Sequence, residues 1–217
     1  MKKSNEKNNQ IISYLTLRKL IGIIGVGLPI ILPIVLLVNG NNILIQDSIS
    51  AYYATEARDF FVGFLFVLGF FLLTYTGYSD ENKPEKINDN VIANIGAIFA
   101  ICVAIFPTTS QSETIQIVHL LSAVALFSVF AYFSLVIFKK TNPAIKPTEM
   151  KLKRNKVYTI CGIIIIVFVL LAGISFKFLS DETRATTNII FWCEVIALIA
   201  FGVSWLTKGE TFLEDKS

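Results

Sequence analysis

The sequence is poor in charge and in the residues that build metal centres. Only 16% of its 217 residues are charged, one is histidine and three are cysteine. Catalytic zinc usually takes about three protein ligands, so His119 would need Cys102, Cys193 or carboxylates to complete a set. The cysteines, including Cys161, all lie in apolar segments, which argues against the disulfide framework of a secreted domain. We expect no metal and no cofactor.

Glycine-rich nucleotide motifs and nucleophile signatures are also missing. Neither G-x-x-x-x-G-K-[ST] nor G-x-G-x-x-G occurs, so nothing points to phosphate-loop chemistry. The serines lack the flanking glycines of a nucleophile elbow. A membrane hydrolase with a Ser–His–Asp triad from Ser50 or Ser122, His119 and Asp59 is therefore the least favoured of the functional alternatives.

What the sequence has is long apolar runs. It is 54% hydrophobic with a mean hydropathy of +0.65, which a soluble domain could carry only with large exposed apolar patches. Crossing the hydrocarbon core takes about 20 apolar residues. Six runs have about that length, namely Leu20–Val38, Phe60–Tyr78, Val91–Pro107, Ile117–Phe138, Val157–Phe178 and Ile189–Leu206. We predict an all-α, polytopic membrane protein with a six-transmembrane-helix bundle over residues 20–206.

The positions of Lys and Arg predict the orientation, because cytoplasmic loops carry an excess of both. With the N-terminus inside, only Arg58, Lys177 and Arg184 of the 19 basic residues fall outside. We therefore expect a multi-pass protein of the cell membrane with cytoplasmic termini, residues 1–19 and 207–217. The pI near 8.7 then reflects topology, and we expect no nucleic-acid partner.

Two further features of the predicted inner side concern a loop and the aromatic residues. The basic loop Lys139–Lys156 contains two prolines and is predicted to be a linker at the anionic headgroups. Trp205, Tyr75 and Tyr158 lie near inner span ends, and Trp192 lies near an outer end. Trp and Tyr favour the membrane interface, so these side chains are expected to form interfacial belts.

The most polar interval between spans is residues 46–59, QDSISAYYATEARD. Asp47 and Ser48 can cap a short helix in which Ile49, Tyr52 and Tyr53 fall at positions i, i+3 and i+4. We predict that this helix lies in the membrane interface on the outer side.

The same interval ends with two charges at the mouth of the second predicted span. Arg58 and Asp59 would cost free energy there unless they found partners. This makes both side chains candidates for a site at the outer surface.

Ionisable groups at membrane depth fall in the outer half of the predicted bundle. At about 1.5 Å per helical residue, His119 lies in the first turn below the surface, and Glu194 lies deeper. Glu194 is either a structural carboxylate, protonated or paired with His119, Lys177 or Arg58, or a ligand or proton site. His119 could instead simply bond to a backbone carbonyl. The candidate ligand-binding residues are Asp47, Ser50, Tyr52, Tyr53, Arg58, Asp59, His119, Ser122, Lys177 and Glu194.

Three stretches carry a family resemblance: SISAYYATEARDFFVG at 48–63, GAIFAICVAIFPT at 96–108 and IVHLLSA at 117–123. Together they resemble the small six-span membrane proteins of the DUF998 and FRAG/DRAM-like type, over most of residues 20–206. The resemblance implies a six-helix bundle with a polar extracytoplasmic side and, for many members, no established activity. The chain lacks counterparts of the metal-binding histidines of ceramidase-like membrane hydrolases.

These observations leave three functions, of which we favour the first. It is a non-enzymatic sensor or binding protein whose outer pocket, with Asp59, His119 and Glu194 below Tyr52 and Tyr53, accepts a lipid headgroup or a small polar molecule. The second is an oligomeric channel or transporter that uses the same carboxylates for ions or protons. A path through one subunit would need polar residues continuing inward, which this sequence lacks, so a pore would require a homo-oligomer. The third is the membrane hydrolase.

Overall fold

The computed structural model describes residues 13–75, 89–141 and 146–213, and these residues form an all-α structure. Its helices are α1 (Tyr14–Val38), α2 (Arg58–Leu73), α3 (Asp89–Ile105), α4 (Glu113–Leu135), α5 (Glu149–Phe178), α6 (Asp181–Thr187) and α7 (Ile189–Lys208). Ser50–Ala54 and Ile137–Lys139 form short 3-10 helices, and the described ranges contain no strand. The all-α prediction is confirmed. Most of the predicted N-terminal segment and part of the tail lie outside the described residues.

Four helices are long and apolar enough to cross a membrane: α1, α5, α7, and α4 with the 3-10 turn that extends it to Lys139. Helices α2 and α3 are shorter, with 16 and 17 residues. The described part of the chain is therefore helical and includes four helices that could span a membrane.

The predicted linker Lys139–Lys156 is wrong in its second half, because α5 begins at Glu149. The side chain of Thr148 accepts a 3.0 Å hydrogen bond from the backbone N–H of Lys151, which caps the helix. The following Lys, Arg and Glu residues have good helix propensity, so the helix begins well before the apolar run.

The six long helices pack side by side in the order α1, α2, α3, α4, α5 and α7, and α7 returns to contact α1. Helix α7 also contacts α4 across the interior. Residues 39–57, residues 106–112 and α6 lie at one end of the assembly, which we call the Glu194 end. Tyr14, Tyr75 and Trp205 lie at the opposite end, which we call the Trp205 end.

Helices α1 and α7 approach each other through glycines. A Cβ atom on Gly202 would lie 2.7 Å from the carbonyl oxygen of Gly22 and 2.8 Å from the backbone nitrogen of Val26. A Cβ atom on Gly25 would lie 3.0 Å from the Cα atom of Gly202. Small residues permit this backbone approach, on which helix association in a membrane depends.

Trp205 fills the interior at its end of the protein and is 0% exposed. Its ring centroid lies 5.4 Å from that of Tyr75 and 4.9 Å from that of Phe138. The prediction that Trp205, Tyr75 and Tyr158 form an interfacial belt is therefore wrong, because all three are buried and pack against other rings. Of the four residues named for the interfacial belts, Trp192 is compatible with such a position, because its side chain is 49% exposed. We call the following residues the aromatic cluster: Tyr75, Phe130, Phe133, Phe138, Tyr158, Phe201 and Trp205.

Candidate functional site

The loop between α1 and α2 folds inward. Ser48 Oγ accepts a 3.1 Å hydrogen bond from the backbone N–H of Ala51 at the start of the 3-10 helix. The predicted short helix is thus confirmed as a helical turn, with Ser48 as its capping side chain. Tyr52 is 0% exposed, and its hydroxyl donates a 2.6 Å hydrogen bond to the carbonyl of Leu44. Burial raises the pKa of Tyr52 to about 12, so the phenol stays neutral at physiological pH.

Two hydrogen bonds join this loop to the first turns of α7. The backbone N–H of Ile49 donates to Glu194 Oε2 at 2.6 Å, and the N–H of Phe191 donates to the carbonyl of Asp47 at 3.1 Å. The first N–H groups of a helix have no partner within it, so the loop satisfies one of them. Asn188, at a φ of 49°, makes the left-handed turn from α6 into α7. The loop backbone therefore fixes the carboxylate of Glu194.

The prediction that Glu194 pairs with a candidate side chain is wrong, because its observed hydrogen-bond partner is the backbone N–H of Ile49. Lys177 is exposed, with its Nζ 5.5 Å from the ring centroid of Phe178. Arg58 donates a 2.9 Å hydrogen bond to the hydroxyl of Tyr53 and stacks on that ring at 4.6 Å. Both side chains are exposed, and their aliphatic parts carry the charged groups away from the protein interior.

His119 is almost fully buried, with 3% of its surface exposed. Its Nδ1 lies 2.5 Å from the carbonyl oxygen of Phe106, just beyond the end of α3. A carbonyl only accepts, so Nδ1 carries a proton and donates it to this carbonyl. The backbone-carbonyl partner considered from the sequence is confirmed.

Three cavities meet beside Glu194. The first, which we call the vestibule, has a volume of about 480 Å³ at the Glu194 end. Its polar lining residues are Asp47, Ser48, Ser50, Thr108, His119, Asp181, Arg184 and Glu194.

The second cavity, which we call the crevice, has a volume of about 280 Å³ between α4, α5 and α7. Its lining is almost wholly apolar and includes Leu121, Val124, Phe168, Val169, Ala172 and Gly173. The third, which we call the chamber, has a volume of about 50 Å³ among the core side chains below His119. Ala123 and Glu194 line all three cavities, so the cavities are neighbours on either side of these two residues.

The charges of the vestibule favour a ligand that donates hydrogen bonds. Three acidic side chains line it, from Asp47, Asp181 and Glu194, against the guanidinium of Arg184. That guanidinium donates to Asp181 and to the carbonyl of Phe176, so its charge is already paired. Sequence reasoning missed Asp181 and Arg184, although Ser180 followed by acidic residues is a helix-start signal at this place.

The structure brings only part of the predicted set together. Asp47, Ser50, His119 and Glu194 line the vestibule. Tyr52 is buried beside Phe191, with 6.2 Å between ring centroids, so it packs the loop against α7 and does not line the vestibule. The other candidates line none of the three cavities, and they are Tyr53, Arg58, Asp59, Ser122 and Lys177.

The catalytic arrangements weighed from the sequence are not assembled in the described part of the chain. Ser50 Oγ is hydrogen-bonded to Ser48 Oγ at 3.1 Å. The Nδ1–H group of His119 donates to the backbone carbonyl of Phe106, whereas in a catalytic triad it would donate to a carboxylate. Asp59 is exposed in the first turn of α2. Within residues 13–75, 89–141 and 146–213, no three His, Cys, Asp or Glu side chains are grouped so as to hold a metal ion.

Comparison with known proteins gives no relative: no family model, no curated protein and no solved structure matches this chain. The resemblance to the DUF998 and FRAG/DRAM-like proteins therefore stays a prediction.

Proposed function

We propose that the chain is a six-span protein of the cell membrane, with cytoplasmic termini, whose Glu194 end faces outward and binds a small or lipidic ligand without chemical conversion. Helices α2 and α3 run between the same two ends as the four long helices, which supports their assignment as spans. Arg58, Lys177 and Arg184 lie at the Glu194 end, whereas Arg18, Lys140, Lys151, Arg154 and Lys208 lie at the Trp205 end. The more basic end belongs in the cytoplasm.

The observation that carries the proposal is the meeting of Glu194 and His119 at the floor of the vestibule. Ligand sites are clefts of about 300–1,000 Å³ with a few placed polar groups, and the vestibule has about 480 Å³. Glu194 Oε2 accepts from Ile49, while Oε1 accepts no hydrogen bond from the described residues. The loop thus holds a carboxylate in place with one oxygen available to a ligand.

The aromatic cluster favours binding over conduction through one chain. Phe130 and Phe201 line the chamber, and their rings stack with centroids 3.7 Å apart. Closer to the Trp205 end, the hydroxyl of Ser134 donates to that of Ser204 at 3.0 Å, so these buried polar groups satisfy each other. An ion would meet no polar path there, and a desolvated ion is costly.

The test is ligand-dependent thermal stabilisation of the purified protein in phosphatidylcholine nanodiscs, screened with lipids and small polar molecules. Glu194→Gln removes the charge and leaves an oxygen that can accept from Ile49. His119→Asn keeps a donor for the Phe106 carbonyl and removes the imidazole. Asp59→Asn is the matched control, because it removes an exposed carboxylate at the same end.

We expect a stabilising compound to lose its effect with Glu194→Gln and His119→Asn and to keep it with Asp59→Asn. A stabilising effect equal in all variants would contradict the proposal. Turnover of an ester or amide that disappears with Ser50→Ala would support the hydrolase instead.

A further inference from the structure

We infer that the ligand is an amphiphile with a single hydrocarbon chain, whose headgroup donates hydrogen bonds to Glu194 in the vestibule and whose chain lies in the crevice. The inference rests on the proposed binding function and specifies its ligand. Headgroups with hydroxyl or amine donors share the required chemistry.

The vestibule and the crevice are neighbouring cavities with part of their lining in common. Besides Ala123 and Glu194, they share Leu120, Phe176 and Ile190. A molecule seated at Glu194 therefore has two directions open to it, a polar one toward the Glu194 end and an apolar one between α4, α5 and α7. A polar group joined to an alkyl chain matches both.

The crevice opens on the face that meets the bilayer. Leu121 and Val124 of α4 and Phe176 of α5 line it, and they are 63%, 47% and 53% exposed. On α5 the opening coincides with Ala172 and Gly173, and a Cβ on Gly173 would meet nothing within 4 Å. Two small residues thus leave a gap in a helix of large apolar side chains, through which a chain can enter from the lipid.

The size of the crevice favours one chain. Its volume of about 280 Å³ lies near the lower end of the range of about 300–1,000 Å³ for ligand sites. Two acyl chains of a membrane phospholipid would need more space, so we assign the crevice to one hydrocarbon chain.

The headgroup follows from what the vestibule presents. Glu194 and Asp47 offer carboxylate oxygens, and Arg184 is paired with Asp181. An anionic headgroup would face these carboxylates without a free cation among the residues that line the vestibule. A hydroxyl or amine headgroup would donate to Glu194 Oε1, and a carboxylate close to a cation or donor forms a strengthened hydrogen bond.

The experiment uses the full chain in phosphatidylcholine nanodiscs, because the phosphocholine headgroup carries no hydrogen-bond donor. Four probes are compared: dodecylamine, dodecylglycerol, dodecanoate and the short polar molecule ethanolamine. Binding is measured against empty nanodiscs, which corrects for partition into lipid. Gly173→Leu fills the crevice, and Gly63→Leu is its control, because Gly63 is also open and lines none of the cavities.

We expect dodecylamine or dodecylglycerol to bind, and Gly173→Leu to weaken that binding by roughly tenfold, with no change for Gly63→Leu. The tighter binder of these two probes shows whether the site prefers an amine or a hydroxyl headgroup. Glu194→Gln weakens both, and dodecanoate binds more weakly than either.

The inference and the proposed function fail in different ways. In one outcome, ethanolamine binds in a manner that depends on Glu194, while the dodecyl probes bind no more tightly than ethanolamine and their binding is unchanged by Gly173→Leu. That result would support the proposed function and overturn the inference that the ligand is an amphiphile. Dodecanoate binding as tightly as dodecylamine would overturn the headgroup assignment. If no probe binds in a manner that depends on Glu194, both proposals fall.

Discussion

The Oε2 atom of Glu194 lies 2.6 Å from the backbone nitrogen of Ile49, although the two residues are 145 positions apart in sequence. Through this bond the loop after α1 and the second turn of α7 hold each other in place. Glu194 therefore has a structural role in addition to the proposed contact with a ligand. The two roles can be separated by substitution.

Glu194→Leu should destabilise the protein by about 1–3 kcal/mol, because the buried N–H of Ile49 loses its acceptor. Glu194→Gln should cost less, since its amide oxygen can still accept. Thermal unfolding in phosphatidylcholine nanodiscs without added ligand measures the difference. Equal stability of the two variants would show that the hydrogen bond does not hold the loop.

The glycine contact between α1 and α7 predicts a strong effect of one methyl group. In Gly202→Ala the new Cβ would meet the carbonyl oxygen of Gly22 at 2.7 Å, and backbone atoms cannot rotate away. We expect destabilisation of about 1–3 kcal/mol from overpacking. Gly63→Ala is the control, because nothing lies near its Cβ, and a mid-helix alanine should stabilise by roughly 0.5–1 kcal/mol. Helix unfolding followed by circular dichroism distinguishes the two, and a harmless Gly202→Ala would refute this packing.

The two tryptophans should report opposite environments. Trp205 is 0% exposed, and Trp192 is 49% exposed. The Trp192→Phe variant, which retains Trp205, should therefore resist quenching by brominated lipids and by acrylamide. The Trp205→Phe variant should be quenched by brominated lipids. Efficient quenching of Trp205 would contradict its place in the aromatic cluster.

Alkaline pH should destabilise the loop through Tyr52. Its folded pKa of about 12 exceeds the ordinary value of 10.0, so the phenol ionises more readily in the unfolded chain. The stabilisation is complete below pH 10 and is lost as the pH rises from about 10 to about 12. Tyr52→Phe cannot ionise, so its unfolding temperature should fall less steeply over this interval. A profile parallel to that of the wild type would contradict the assignment.

The proposed orientation predicts which end of the protein an impermeant thiol reagent reaches in intact cells. In a background with Cys102, Cys161 and Cys193 replaced by alanine, Ala185→Cys on α6 should react. Lys146→Cys, just before α5, should react only after lysis. Both positions are exposed in the structure, so accessibility depends on the side of the membrane. Labelling of position 146 before lysis would invert the topology.

The sequence predicted most of the helical fold, because the length of an apolar run depends only on local composition. It placed α7 within two residues at its end. It placed the start of α5 too late, since polar residues with good helix propensity extend a helix beyond its apolar part.

The site was only partly predictable, because its decisive partner is a backbone group. No pattern of side chains in the sequence indicates that the N–H of Ile49 faces Glu194. The predicted partners, His119, Lys177 and Arg58, are all side chains and so could not include it. The prediction for Trp205 was wrong for a related reason, because a tryptophan near the end of a span fits both a membrane interface and an aromatic core. Only the tertiary packing decides between the two.

The glycine contact between α1 and α7 also has a consequence for biogenesis. Helices α2 and α3, or α4 and α5, are neighbours both in space and along the chain. Under the proposed six-span topology, each pair can associate soon after both helices have entered the bilayer. Helix α1 has to wait for a partner from the far end of the described sequence, with its glycine face meanwhile open to lipid. Contacts so distant in sequence form late, and this one closes the ring. A mutation at Gly22 or Gly202 should therefore appear in cells as arrested assembly and proteolysis, before any ligand is encountered.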